Sequence, residues 1–137
     1  MIRGLAACAI LAVALSGCSF GEASGAADQA VEKFHAQFEA EDYAAMYTGA
    51  DPQFRGATAA KDWTDLMAAV RRKLGHFRSA SRGNVNVTQS TGGTFVAQSF
   101  DTTYDEGRAT EQFRWRVADG HAFLLGYNIS SPILITR

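Results

Sequence analysis

Gln112-Phe113-Arg114-Trp115-Arg116-Val117-Ala118-Asp119-Gly120-His121 is the stretch on which the fold turns. Phe113, Trp115 and Val117 alternate with Gln112, Arg114 and Arg116, the period of a strand with one apolar and one basic face. Asp119-Gly120 is the pair that a tight hairpin takes at its tip, where both residues need a positive φ. Beyond the tip, His121, Phe123, Leu125, Tyr127 and Ile129 are expected to share one face of the returning strand. Upstream, Thr94 to Tyr104 is rich in β-branched and aromatic residues, and Asp105-Glu106-Gly107 reads as a turn. Val85 and Val87 alternate with polar neighbours, but the stretch from Phe77 to Thr91 is poorly marked, so the first strand's register stays open. These signals predict an antiparallel meander.

Before the meander the period is helical. Ala27, Ala30, Val31, Phe34 and Phe38 form one apolar stripe after a candidate cap at Asp28, with Glu32, Ala36 and Glu39 on the far side. Asp42 caps a short second helix carrying Tyr43, Met46 and Tyr47, which Gly49 and Asp51-Pro52 stop. Thr58 caps a third, whose stripe is Trp63, Leu66, Met67, Val70 and Leu74 and which ends at Gly75. Helices first and a meander after them predict an α+β architecture, with N-terminal helices packed on a curved antiparallel sheet.

The chain has 137 residues, 47% hydrophobic and 20% charged, with a net charge of −1. Such a chain folds as one domain, and its near-neutral charge gives no bias towards nucleic acid. The first eighteen positions stand apart. Arg3 precedes an apolar run from Leu5 to Leu15, which suits a secretory signal and is too short to cross a hydrocarbon core of about 30 Å. The following Leu15-Ser16-Gly17-Cys18 resembles the lipobox of bacterial lipoproteins. That resemblance implies a signal over residues 1–17 and a lipidated Cys18. It implies a membrane anchor in the cell envelope facing the periplasm, with Ser19 leaning towards the outer membrane. Residues 18–27 read as the lipidated N-terminus and a flexible tether, and 28–137 as a single α+β domain.

The string Glu41-Asp42-Tyr43-Ala44-Ala45 resembles the short second helix of the nuclear-transport-factor-2-like, or cystatin-like, superfamily. Phe54-Arg55, Trp63 with Leu66, Val70-Arg71, Leu74-Gly75, Glu111, Asp119-Gly120 and Gly126-Tyr127 extend a likeness to domain-of-unknown-function family 4019, over roughly residues 28–130. The resemblance implies a sheet wrapped round a long helix as a cone. It implies no activity, since the superfamily hosts enzymes and non-enzymes alike.

Candidate site residues follow from that expectation. Tyr43, Tyr47, Trp63, Tyr104, Trp115 and Tyr127 are candidate cavity lining. Asp101, Glu111, Tyr104, Tyr127 and His121 are the strand residues that could serve a cone-pocket isomerase or hydratase, with Asp101 and Glu111 expected on solvent faces or strand ends and His121 in an exposed turn. Arg71, Arg72, Lys73, Arg78 and Arg82 form a candidate contact for anionic phosphates or a partner. His35, His76 and His121 lack metal-site spacing, so no metal and no cofactor is expected. The leading expectation is a non-enzymatic envelope domain that binds a small apolar ligand or an envelope protein. The alternatives are the cone-pocket enzyme and an accessory lipoprotein without a ligand.

Overall fold

The computed structural model describes residues 20–136; the expected signal over 1–17 and the expected lipidation at Cys18 lie outside the described residues. The element order is α1 (Phe20–Glu39), α2 (Tyr43–Thr48), α3 (Pro52–Ala57), α4 (Ala60–Leu74), β1 (Phe77–Ser90), β2 (Gly93–Tyr104), β3 (Gly107–Ala118), β4 (His121–Ser130) and α5 (Pro132–Thr136). The four strands form one antiparallel sheet in the order β1-β2-β3-β4, with α1 to α4 ahead of it in sequence and α5 after it. The architecture is therefore the expected α+β.

The sheet's inner face follows strict alternation through its centre. Val96, Gln98, Phe100, Thr102 and Tyr104 of β2 point inward, as do Ala109, Glu111, Phe113, Trp115 and Val117 of β3. At the β3–β4 hairpin, Asp119 (φ 52°) and Gly120 (φ 75°) are both left-handed, the geometry a two-residue primed turn demands. Irregularities interrupt the β1–β2 register between Arg82 and Val85 and the β3–β4 register between Arg114 and Trp115, and such bulges bend a sheet.

The second bulge corrects the expected face of β4. Trp115 pairs with Leu124 while Arg114 pairs with Gly126, so Leu125 is the extra residue and parity switches there. Leu124 is buried and Tyr127 packs on the core, whereas His121 and Phe123 are exposed.

Helix α1 lies against all four strands and supplies Val31, Phe34 and Phe38 to the core. It already runs at Phe20, the first described residue, so residues 20–27 of the expected tether are helix. Ala23 and Ala27 are buried there, their small side chains allowing a close approach. Asp42 caps α2 by accepting from the Ala45 N–H, as expected. Asp51-Pro52 does more than stop α2: Asp51 caps the additional helix α3 with Pro52 at its first position, and Thr58 ends α3 rather than starting α4. In α4, Trp63, Met67, Val70 and Leu74 form the buried seam. Leu66 is 44% exposed, because it sits about 60° round the helix from Trp63 on the side away from Met67. Gly75 ends α4 at φ 80°, and a side chain there would meet Asp105 of the β2–β3 turn.

Rings fill the space between helices and sheet. The Phe34 ring centroid lies 5.0 Å from Phe113, 4.8 Å from Tyr127 and 6.2 Å from Trp63, and Trp63 sits 5.2 Å from Phe54. The interior of the expected cone is thus occupied by the protein's own side chains.

Candidate functional site

Glu111 sits at the centre of β3 with the parity of Phe113 and Trp115, so the pleat carries it inward. It is 0% exposed, which corrects the expectation of a solvent face or strand end. A buried carboxylate is tolerable only when its lone pairs are satisfied. Here His35 Nε2 from α1 lies 2.8 Å from Oε1, Thr102 Oγ1 from β2 donates to Oε1, and the Tyr127 hydroxyl from β4 donates to Oε2. Phe100 and Ile129 are the direct cross-strand partners of Glu111, so Thr102 and Tyr127 reach it as diagonal neighbours, a spacing long side chains can bridge.

Burial by itself would push the Glu111 carboxyl up. The hydrogen bond and charge of His35, with the bonds from Thr102 and Tyr127, outweigh it and hold the group below its ordinary value. An ionised carboxylate only accepts, so the proton in the His35 contact belongs to Nε2. Tyr104 and Tyr127 are pushed far above the usual phenol range, first by burial and then by the negative charge of Glu111. All three donors are used in fixing one anion, and Glu111 itself touches no solvent.

His35 is the member of this cluster with an outlet. It is 4% exposed, its ring stacks on Phe77 at 4.0 Å, and it lines an open cleft of about 610 Å³ between α1 and the first half of β1. Val31, Phe77 and Phe100 give the cleft apolar surface, while Asp28, Glu32, Glu39 and Arg82 bring the charges. Asp28 accepts from Arg82 at 2.7 Å and from Gln98 Nε2 at 2.7 Å. Glu39 takes the Phe77 N–H at 2.7 Å, Arg71 at 2.8 Å and His76 at 3.0 Å, and these partners hold its carboxyl below the usual value although burial opposes them.

The six candidate lining residues go elsewhere. Tyr43, Trp63, Tyr104 and Trp115 are buried core, and the Tyr47 hydroxyl donates to the Thr58 carbonyl at 2.8 Å, tying α2 to the end of α3. None of the six lines the α1–β1 cleft; Tyr127 borders a polar groove on the outer sheet face with Arg114 and Asn128. Of the five strand residues that could serve a cone-pocket enzyme, the structure unites Glu111, Tyr104 and Tyr127, whereas Asp101 and His121 are exposed. His35 was missed as a partner, although it lies one position beyond Phe34 and four beyond Val31 on the same helix.

The basic segment is largely engaged within the fold. Arg71 meets Glu39, Arg78 meets Asp105 at 2.6 Å, Arg82 meets Asp28, and Lys73 donates to the Leu134 carbonyl at 3.0 Å. Arg72 is exposed. Among the described residues no group of three or more histidines, cysteines or carboxylates is placed to hold a metal ion, and no helix is long and apolar enough to cross a membrane.

A helical layer over a four-stranded meander, a carboxylate-centred cluster locked inside it and a cleft along one flank define a small α+β domain with a lateral pocket. Residues 30–127 match the family described as protein of unknown function (DUF4019), and the chain belongs to that family. The match runs from α1 to β4 and takes in His35, Glu111 and Tyr127. No curated protein matches the chain.

Proposed function

We propose that this protein is a lipid-anchored component of the bacterial cell envelope whose nuclear-transport-factor-2-like domain binds a small ligand with an apolar body in the α1–β1 cleft. One observation carries the reading. The cleft, at about 610 Å³, falls within the range of ligand sites, about 300–1,000 Å³, and combines an apolar floor with a few polar groups. The cone interior offers no such room, since Phe34, Phe113, Trp63 and Tyr127 fill it. Leu15-Ser16-Gly17-Cys18 supports the anchor, and two or three acyl chains at about 0.8 kcal/mol per CH₂ would hold it on a bilayer.

The test is native mass spectrometry of the full chain taken from its host membrane. A bound small molecule, lost when Ala80→Trp fills the cleft, is the expected result. A chain that carries nothing under conditions that keep control ligands bound would leave an accessory lipoprotein without a ligand.

A second reading has a specific observation behind it. Glu111 orients His35 much as the carboxylate of a catalytic triad orients its histidine, and His35 lines the cleft. An isomerase or hydratase would work through His35, because Glu111 is sealed and fully hydrogen-bonded. His35→Gln would then abolish turnover of the recovered ligand while leaving its binding largely intact; in the binding reading no turnover exists to abolish.

A further inference from the structure

The charges of the cleft are arranged with one sign exposed and the other tied up. Asp28, Glu32, His35 and Glu39 recur along α1 at spacings of four, three and four, so they form one stripe beside the apolar stripe that packs on the sheet. Opposite them β1 contributes Arg82, whose guanidinium is bound to Asp28. Glu39 is bound to Arg71 and His76. Glu32, between the two, makes no ion pair or hydrogen bond with any described residue, although it lines the cleft. Behind the floor lies a further negative charge, the buried Glu111. The free charge that a ligand meets is therefore anionic.

The floor points the same way. With Nε2 committed to Glu111, His35 leaves Nδ1 without a partner among the described residues. Phe77 and Phe100 are aromatic groups in the same cleft, and a ring face attracts a cation as well as an apolar body.

We infer that the α1–β1 cleft selects organic ammonium ions with an apolar, preferably aromatic, body: the ammonium at Glu32 and the body on Phe77 and Phe100. The inference rests on the cleft being a ligand site and adds the chemical class of the ligand. The cation replaces part of its hydration with the Glu32 carboxylate and the ring faces. A carboxylate of the same shape meets only repulsion and one guanidinium already held by Asp28.

The experiment titrates three probes of similar shape against the full chain in discs of neutral lipid, with empty discs as baseline: 2-phenylethylammonium, 2-phenylethanol and 3-phenylpropanoate. The expected order is ammonium tightest, alcohol about five-fold weaker, and carboxylate weaker still, from the size of a partly exposed ion pair. Glu32→Gln should bring ammonium and alcohol to within about two-fold, and raising salt to about 0.5 M should do much the same. Glu32 is exposed, so an unchanged melting temperature will show the variant is folded. If all three probes bind alike and Ala80→Trp removes them together, the selection for cations is overturned and the ligand cleft stands. If none binds and Ala80→Trp changes nothing, the cleft itself is not a site for such ligands and both readings fall.

Discussion

Glu111→Gln separates the charge of the buried cluster from its shape. The amide is nearly isosteric, so it leaves no cavity, but it replaces one acceptor oxygen with a donor. Three donors converge on Glu111, from His35 at 2.8 Å and from Thr102 and Tyr127. A hydrogen bond to a charged group is worth about 1.5–3 kcal/mol, and a buried donor facing another donor costs about 1–3 kcal/mol. Some bonds survive through the remaining oxygen and by rotation of the Tyr127 hydroxyl, so the net loss should be about 2–4 kcal/mol. Against a typical domain stability of about 5–15 kcal/mol that is large but leaves a folded protein to measure. The pH dependence has a definite sign. The folded-state carboxyl is held below its ordinary value of 4.5, so its contribution is complete above that value and is lost as pH falls through the lower folded one. Urea melts followed by the fluorescence of Trp63 and Trp115 should show a gap between wild type and Glu111→Gln that is present above the ordinary carboxyl value of 4.5 and closes as pH falls below it. A gap under about 0.5 kcal/mol at pH 7, or one that widens in acid, would refute the idea that an ionised Glu111 organises the cluster.

Trp63→Ala should destabilise the domain by about 3–5 kcal/mol in the same melts, since Trp63 is 2% exposed between Phe34, Phe54 and Tyr127. Asp51→Ala removes both the cap on the Gln53 N–H at 2.9 Å and the 2.8 Å contact with Arg116 Nε; a loss of about 1–3 kcal/mol, with faster hydrogen exchange confined first to α3, is expected. Cys18→Ser should move the protein from the membrane fraction to an unprocessed or soluble form, and an intact mass showing an unmodified Cys18 in the native host would end the lipoprotein reading.

The meander was legible because two of its turns carry their own chemistry: Asp119-Gly120 takes two positive φ values and Gly107 follows Asp105-Glu106 at the β2–β3 hairpin. The burial of Glu111 was also written in the sequence, in its parity with Phe113, Trp115 and Val117. A carboxyl's polarity argues for a solvent face, but the pleat leaves an inward position no choice. The β4 face was illegible because the one-residue bulge at Leu125 has no turn residue to announce it and every later side chain changes sides. Strand β1 was faint for a different reason. It pairs only with β2, and the inner face of its first half looks into the cleft through Ala80 and Arg82, so no apolar alternation is required of it. The early start of α1 escaped because its buried residues there are alanines, which blend with the small, polar Gly21, Ser24 and Gly25.

That the cleft is open rather than merely unfilled follows from what lines it. Ala36 on α1 and Ala80 on β1 both lie along it, and both are exposed. Larger apolar residues at these two positions would bury more surface, at about 0.8 kcal/mol for each added CH₂, and would weld the helix to the edge strand. They would also cover Glu32, which has no cation of its own, and strand a charge that costs several kcal/mol to desolvate. A chain shaped only for stability would have closed the gap and replaced Glu32 together. This one holds Asp28 and Glu39 with protein partners, leaves Glu32 without one, and anchors the floor histidine on a buried carboxylate. The cluster at Glu111 and the open cleft are thus two ends of one arrangement: the sealed anion fixes His35, and Glu32 stands in the same cleft without a protein cation.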